Sequence, residues 1–173
     1  TILAPGGMGK TRLALEAAQT QIRNYADGVF FVPLAPLSSP EDIVTAIAEN
    51  VGFSFYGSDA PDRQLLDYFR NRHTLLVLDN FEHLLDGVPL VTGILQVAAD
   101  VMVLATSREK LNLSGETVFA LSGLHFPTWE TPEDALEYDA VKLFMQSARR
   151  VRPDFELHTE DLDYLARICR LTA

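Results

Sequence analysis

The stretch Ala4-Pro5-Gly6-Gly7-Met8-Gly9-Lys10-Thr11 decides how the rest of the chain is read. To hold a phosphate with backbone, several N–H groups must converge on one point, which calls for glycines that tolerate positive φ and close approach. A helix must also start directly behind the loop, because its free amides and dipole favour an anion. Both conditions are met. Ile2-Leu3 reads as the end of a strand, and from Thr11 to about Arg23 the spacing of Leu13, Ala14, Ala17, Ala18 and Ile22 gives a helix with one apolar face. Ala4 stands where the usual pattern has its first glycine, which is tolerable if that residue keeps a negative φ.

The loop predicts a site for ATP or ADP with Mg²⁺. Lys10 is expected to reach the β- and γ-phosphates and the Thr11 hydroxyl to sit on Mg²⁺, with Pro5, Gly6, Gly7, Met8, Gly9 and Arg12 completing the contacts. Downstream, Thr74-Leu75-Leu76-Val77-Leu78-Asp79 is an apolar strand ending in a carboxylate. That arrangement puts Asp79 at the carboxyl edge of a parallel sheet, where it is expected to hold the Mg²⁺ through water. Asn80 follows, where many ATPases of this class carry a second acid. An amide cannot take a proton, so hydrolysis is expected to be slow. Glu82 is the nearest carboxylate that could substitute for that acid, and the reading preferred over this is a solvated residue opening the next segment. Val101-Met102-Val103-Leu104-Ala105-Thr106-Ser107-Arg108 is a further apolar strand ending in an arginine. A planar guanidinium there can report a γ-phosphate. The competing reading makes Arg108 a surface partner of Glu109 or Asp100.

Around these pieces, short β-branched or aromatic runs alternate with stretches of helical period, the signature of a parallel sheet between two helix layers, an α/β fold. A strand is expected at Val29–Leu34. A helix then begins at Ser39, with Pro40 in first position, Asp42 closing a capping-box-like pattern, and Ile43, Val44, Ile47, Ala48 and Val51 inward. A short helix with Leu65, Leu66 and Phe69 inward, a helix over Val88–Ala99, and a last strand over Thr117–Leu121 complete a domain over residues 1–124. Residues 125–137, rich in Pro, Thr and Glu, read as a linker. Residues 138–173 hold two helices, one carrying Val141, Phe144, Met145 and Ala148, the other Leu162, Leu165, Ala166 and Cys169.

Composition narrows the setting. Lys and Arg total 14 against 24 Asp and Glu, a net charge of −10, which opposes sequence-independent binding to nucleic acid or to an anionic membrane. The single cysteine excludes an internal disulfide, the four histidines are scattered, and the apolar runs are short, so a cytoplasmic setting is expected. The abrupt opening on Thr-Ile-Leu suggests that the first strand begins upstream.

Gly6–Ala14, Leu75–Leu85 and Leu104–Leu124, with Asp139–Phe144 beyond them, resemble the NB-ARC-like branch of the STAND class, the signal-transduction ATPases with numerous domains. The similarity is to the ATPase modules of large bacterial transcriptional regulators, although Gly123 stands where that family usually has proline. The resemblance implies a three-layer P-loop NTPase with sheet order 5-1-4-3-2, so that the strand of Arg108 lies between the P-loop strand and that of Asp79. It also implies that residues 138–173 begin a helical lid subdomain packed over the nucleotide. The function it implies is an ATP/ADP switch with slow hydrolysis, acting on flanking DNA-binding or helical-repeat domains of the same polypeptide and able to form a nucleotide-dependent oligomer. The alternatives are an AAA+-like motor or clamp-loader ATPase, a P-loop small-molecule kinase, and a scaffold that no longer binds nucleotide.

Overall fold

The computed structural model of the chain describes residues 1–124, 137–158, 161–162, 164–165 and 167–168. The expected linker, but for Glu137, and the expected roles of Ala166 and Cys169 lie outside the described residues. Contacts divide the chain into two units, Thr1–Leu121 and Ser122–Ala173.

In the first unit the chain runs β1 (Ile2–Leu3), α1 (Lys10–Gln21), β2 (Val29–Pro33), α2 (Ile43–Val51), α3 (Pro61–Phe69), β3 (Thr74–Asp79), α4 (Val88–Val97), β4 (Val101–Ser107) and β5 (Phe119–Ala120). The five strands form one sheet in the order β2-β3-β4-β1-β5, with every neighbouring pair parallel. This is the order 5-1-4-3-2 seen from the opposite edge. Parallel neighbours cannot be joined by a tight turn, and the crossovers from β1 to β4 each carry one or two helices onto a face of the sheet, while β4 reaches β5 through a loop.

The central strand shows why two helix layers are needed. All six residues of β3 are buried. Leu75 and Val77 pack with Ile2, Ala14 and Ala18, on the face covered by α1. Leu76 and Leu78 point the other way, into the larger cluster with Ile43, Ile47, Leu65, Phe69, Val91 and Ile94 from α2, α3 and α4. Alternate side chains of one strand thus enter two cores, which is why β3 reads as a continuous apolar run.

Local details differ from the sequence reading. Ser39 makes no capping bond. Its hydroxyl donates to the Glu41 carboxylate, and Pro40–Asp42 forms a 3₁₀ turn ahead of α2. The Asp42 N–H, which a capping box would give to the Ser39 hydroxyl, goes instead to the Ser39 carbonyl at 3.1 Å. Ile22 is 57% exposed, because α1 ends at Gln21 and Ile22 is its C-cap. The last strand shortens to two residues, held by Phe119 N–H on Thr1 O and Leu121 N–H on Leu3 O.

In the second unit, α5 (Asp139–Val151) carries Asp139 in its first turn and Arg149 and Arg150 in its last, matching the helix dipole at both ends. Val141 is buried against Leu165, with Phe144 and Met145 packed partly around them.

The two-core arrangement makes Phe69 a critical position, since its ring is fully buried at the end of α3 beside Tyr68. Phe69→Ala is expected to lower stability by about 3–5 kcal/mol in urea unfolding. Ile22→Ala is expected to stay within about 0.5 kcal/mol of the parent.

Candidate functional site

The loop between β1 and α1 uses its glycines for two different reasons. Gly7 and Gly9 have φ of 79° and 82°, and a Cβ on either would meet nothing within 4 Å. Only conformation requires glycine there. Gly9 is also the N-cap of α1, and its carbonyl accepts the Leu13 N–H at 3.0 Å to start the helical ladder. Gly6 has no positive φ, but a Cβ would lie 3.1 Å from Arg108 Nη2 and 3.3 Å from its Cζ. Close approach of the guanidinium favours glycine at that position. Ala4 keeps φ out of the left-handed region, is buried, and donates its N–H to Ser107 O on β4 at 3.3 Å.

Lys10 opens α1 and is only 9% exposed. Its Nζ donates to Ala4 O at 2.8 Å and Pro5 O at 3.0 Å. A nearly buried ammonium held by neutral carbonyls, with no carboxylate paired to it among the described residues, suits an incoming anion.

Asp79 ends β3, and the register that pairs Leu78 with Ala105 on β4 brings Thr106 alongside it. Asp79 Oδ1 accepts the Thr106 hydroxyl at 2.6 Å and the Thr11 hydroxyl at 2.8 Å. Thr106 Oγ1 in turn accepts the Asn80 N–H at 2.9 Å. A hydroxyl and a carboxylate side by side are hard oxygen donors of the kind Mg²⁺ takes while keeping its waters and binding phosphate oxygens. The residues present therefore fit an Mg-nucleotide. Thr106 received no role from the sequence, and only its register opposite the end of β3 would have given one.

Asn80 adopts a left-handed conformation, φ 69° and ψ 54°, which Asn tolerates better than most residues. Its Nδ2 lies 3.2 Å from His83 Nδ1, and His83 Nε2 lies 3.2 Å from Leu37 O. Because a carbonyl only accepts, this pattern suits a neutral imidazole with its proton on Nε2.

The structure corrects two expectations at Arg108 and Glu82. Arg108 pairs with neither Glu109 nor Asp100; its Nε lies 2.9 Å from Glu82 Oε1. Glu82 is no solvated residue, for its side chain is 13% exposed and its Oε2 is buried without a hydrogen-bond partner. Together these residues frame a cleft of about 370 Å³, lined by Gly6 to Arg12 with Asn80, Glu82, Thr106 and Arg108. Pro5 contributes its carbonyl to Lys10 behind that lining. The lining sets three cations, Lys10, Arg12 and Arg108, against one carboxylate, Glu82. In a chain of net charge −10 that local excess marks the cleft as an anion site.

Comparisons with known proteins agree with this geometry. The sequence profile of the family described as AAA domain matches residues 1–119. A Mycobacterium tuberculosis protein, provisionally named an HTH-type transcriptional regulator, is 36% identical over 175 residues, covering 98% of this chain and 18% of that protein. An uncharacterized protein of the same species is 30% identical over 171 residues, covering 98% of this chain and 41% of that protein. The chain thus corresponds to a minor part of either relative. Among solved structures, Cdc6p from Pyrobaculum aerophilum matches 70% of this chain and 38% of its own, with a TM-score of 0.53 and 16% identity. That likeness bears on the fold alone.

Thr106 provides the test of the bracing around Asp79. Thr106→Val removes the donor to Asp79 and leaves the Asn80 N–H without its acceptor. The expected cost is about 1–3 kcal/mol in urea unfolding, with Thr106→Ser retaining most of the parent's stability.

Proposed function

Because this chain belongs to the AAA domain family, we propose that it is the ATP/ADP-binding switch of a longer regulatory protein, in the manner of the STAND class. The observation that carries the reading is the placement of an arginine over the phosphate loop: Arg108 directly follows β4, and its guanidinium lies against Gly6, in the same cleft as Lys10.

In this reading the backbone of Gly6–Gly9 and the N-terminus of α1 bind the phosphates, and Lys10 bridges the terminal two. Thr11 and Asp79 are the residues that would hold Mg²⁺, which supplies charge neutralisation to the phosphates. Thr106 keeps Asp79 in place. Arg12, exposed at the cleft, adds positive charge. Asn80 offers no base where a fast ATPase would need one, so turnover falls below the roughly 1–10³ s⁻¹ typical of enzymes. A slow site stays in one nucleotide state long enough to report it, which favours a switch over a motor or clamp loader.

Residues 138–173 begin the helical subdomain of the same module, and the output is carried by flanking parts of the polypeptide, with nucleotide-dependent oligomerisation among its possible forms. The name of the regulator matched by this chain, and the 18% of its length that the match covers, support that division of labour. The acidic surface favours contact with protein over nucleic acid. We place the module in the cytoplasm; among the described residues no helix is long and apolar enough to cross a membrane.

A switch requires that its two ligands be bound differently. Arg108, one residue past the end of β4, is the residue this reading depends on, and Arg108→Ala is expected to weaken ATP binding more than ADP binding, by about 1–3 kcal/mol in calorimetry. Arg108→Lys is expected to recover only part of this, since a point charge lacks the planar fork. Equal losses for both nucleotides, or none, would overturn the switch reading.

A further inference from the structure

Glu82 occupies the cleft wall for a reason that the phosphate chemistry of Lys10, Thr11 and Asp79 does not supply. Its backbone lies in the 3₁₀ turn Phe81–His83 and is fixed from both sides. Phe81 is fully buried in the large core, and His83 is tied to Leu37 O and to the Asn80 amide. The side chain is 13% exposed, so its carboxylate has little freedom.

Stability does not explain a carboxylate there. Oε2 is buried with no hydrogen-bond partner, a cost that a neutral residue would avoid. What the carboxylate does is hold Arg108. Oε1 lies 2.9 Å from Arg108 Nε, while the Arg108 side chain is itself 61% exposed. A long side chain so exposed carries much rotamer entropy unless something anchors it. The ion pair is closest at Nε and leaves the donors on Nη1 and Nη2 for another partner. That edge faces the phosphate loop, since Nη2 lies 3.1 Å from where a Cβ on Gly6 would be.

We propose that Glu82 is a positioning residue, which grips Arg108 by Nε and presents the terminal edge of its guanidinium to the γ-phosphate of a bound nucleoside triphosphate. It thereby sets the preference of the site for triphosphate over diphosphate. This rests on the switch reading of Arg108 given above. Gly6 belongs to the same device, because a side chain there would press on the guanidinium.

The experiment compares Mg-ADP with the Mg complex of the non-hydrolysable triphosphate adenylyl imidodiphosphate, titrated by calorimetry into the 173-residue chain and its variants. Circular-dichroism melting checks that each variant folds. Glu82→Ala is expected to lower the ratio of triphosphate to diphosphate affinity by about fivefold, the upper end of what a partly exposed pair supplies. Glu82→Gln, which keeps the size and polarity of the side chain but not its charge, is expected to lose part of this, about twofold. In an Arg108→Ala background, Glu82→Ala is expected to change the ratio no further. If the parent and Arg108→Ala share one ratio, the switch reading falls and Glu82's role with it. If they differ and Glu82→Ala keeps or raises the parent's ratio, the switch reading stands and the positioning role is overturned. Should Glu82→Ala fail to fold, Glu82→Gln decides: a partial fall supports the role, and an unchanged or raised ratio contradicts it.

Discussion

A single carboxylate oxygen, Asp79 Oδ1, takes hydrogen bonds from Thr11 on α1 and Thr106 on β4. These two bonds fasten the helix behind the phosphate loop, the central strand and its neighbour at one edge of the sheet. The rest of the site follows from that fastening. With β4 held against β3, Arg108 is delivered to the loop one residue beyond the strand's end. With Thr11 held, Lys10 stays at the mouth of α1, its ammonium on the loop's own carbonyls. Charge-assisted bonds to a nearly buried carboxylate are among the stronger local interactions a fold can use.

Much of this was legible in the sequence because it is local or periodic. The loop needs glycines within a few residues of Lys10, and two of them do take positive φ. The strand over Thr74–Asp79 was visible as a run of four apolar residues ending in an acid, and it appears with those bounds. The sheet order came from family resemblance, since periodicity says nothing of which strands are neighbours. Other features were hidden for physical reasons. The Glu82–Arg108 pair and the Thr106 brace join residues far apart in the chain, and both depend on strand register, which no window of sequence contains. The capping box failed because the Asp42 N–H closes the 3₁₀ turn on the Ser39 carbonyl. Ile22 fitted the helical stripe but fell one residue past the helix.

The electrostatics of the molecule are divided. The chain is strongly acidic overall, yet its cleft wall is cationic. An acidic surface suppresses adventitious contact with polyanions, while a local cluster of Lys10, Arg12 and Arg108 at a helix N-terminus still draws a small anion. The placement of Asn80 after Asp79 adds the kinetic half of the picture. In the proposed reading Asp79 would hold the metal, whereas the position next to it holds an amide. Such a site is better suited to retaining a nucleotide than to consuming it.

The central claim is that the loop from Gly6 to Thr11 holds the phosphates of a nucleotide through Lys10. Calorimetric titration of Mg-ADP into the parent chain and into Lys10→Ala tests it most directly. The account predicts saturable one-to-one binding by the parent and a loss of about a hundredfold or more in the variant, as expected when charge-assisted bonds to two phosphates are removed. Equal affinities for parent and variant, or no binding by either, would contradict it.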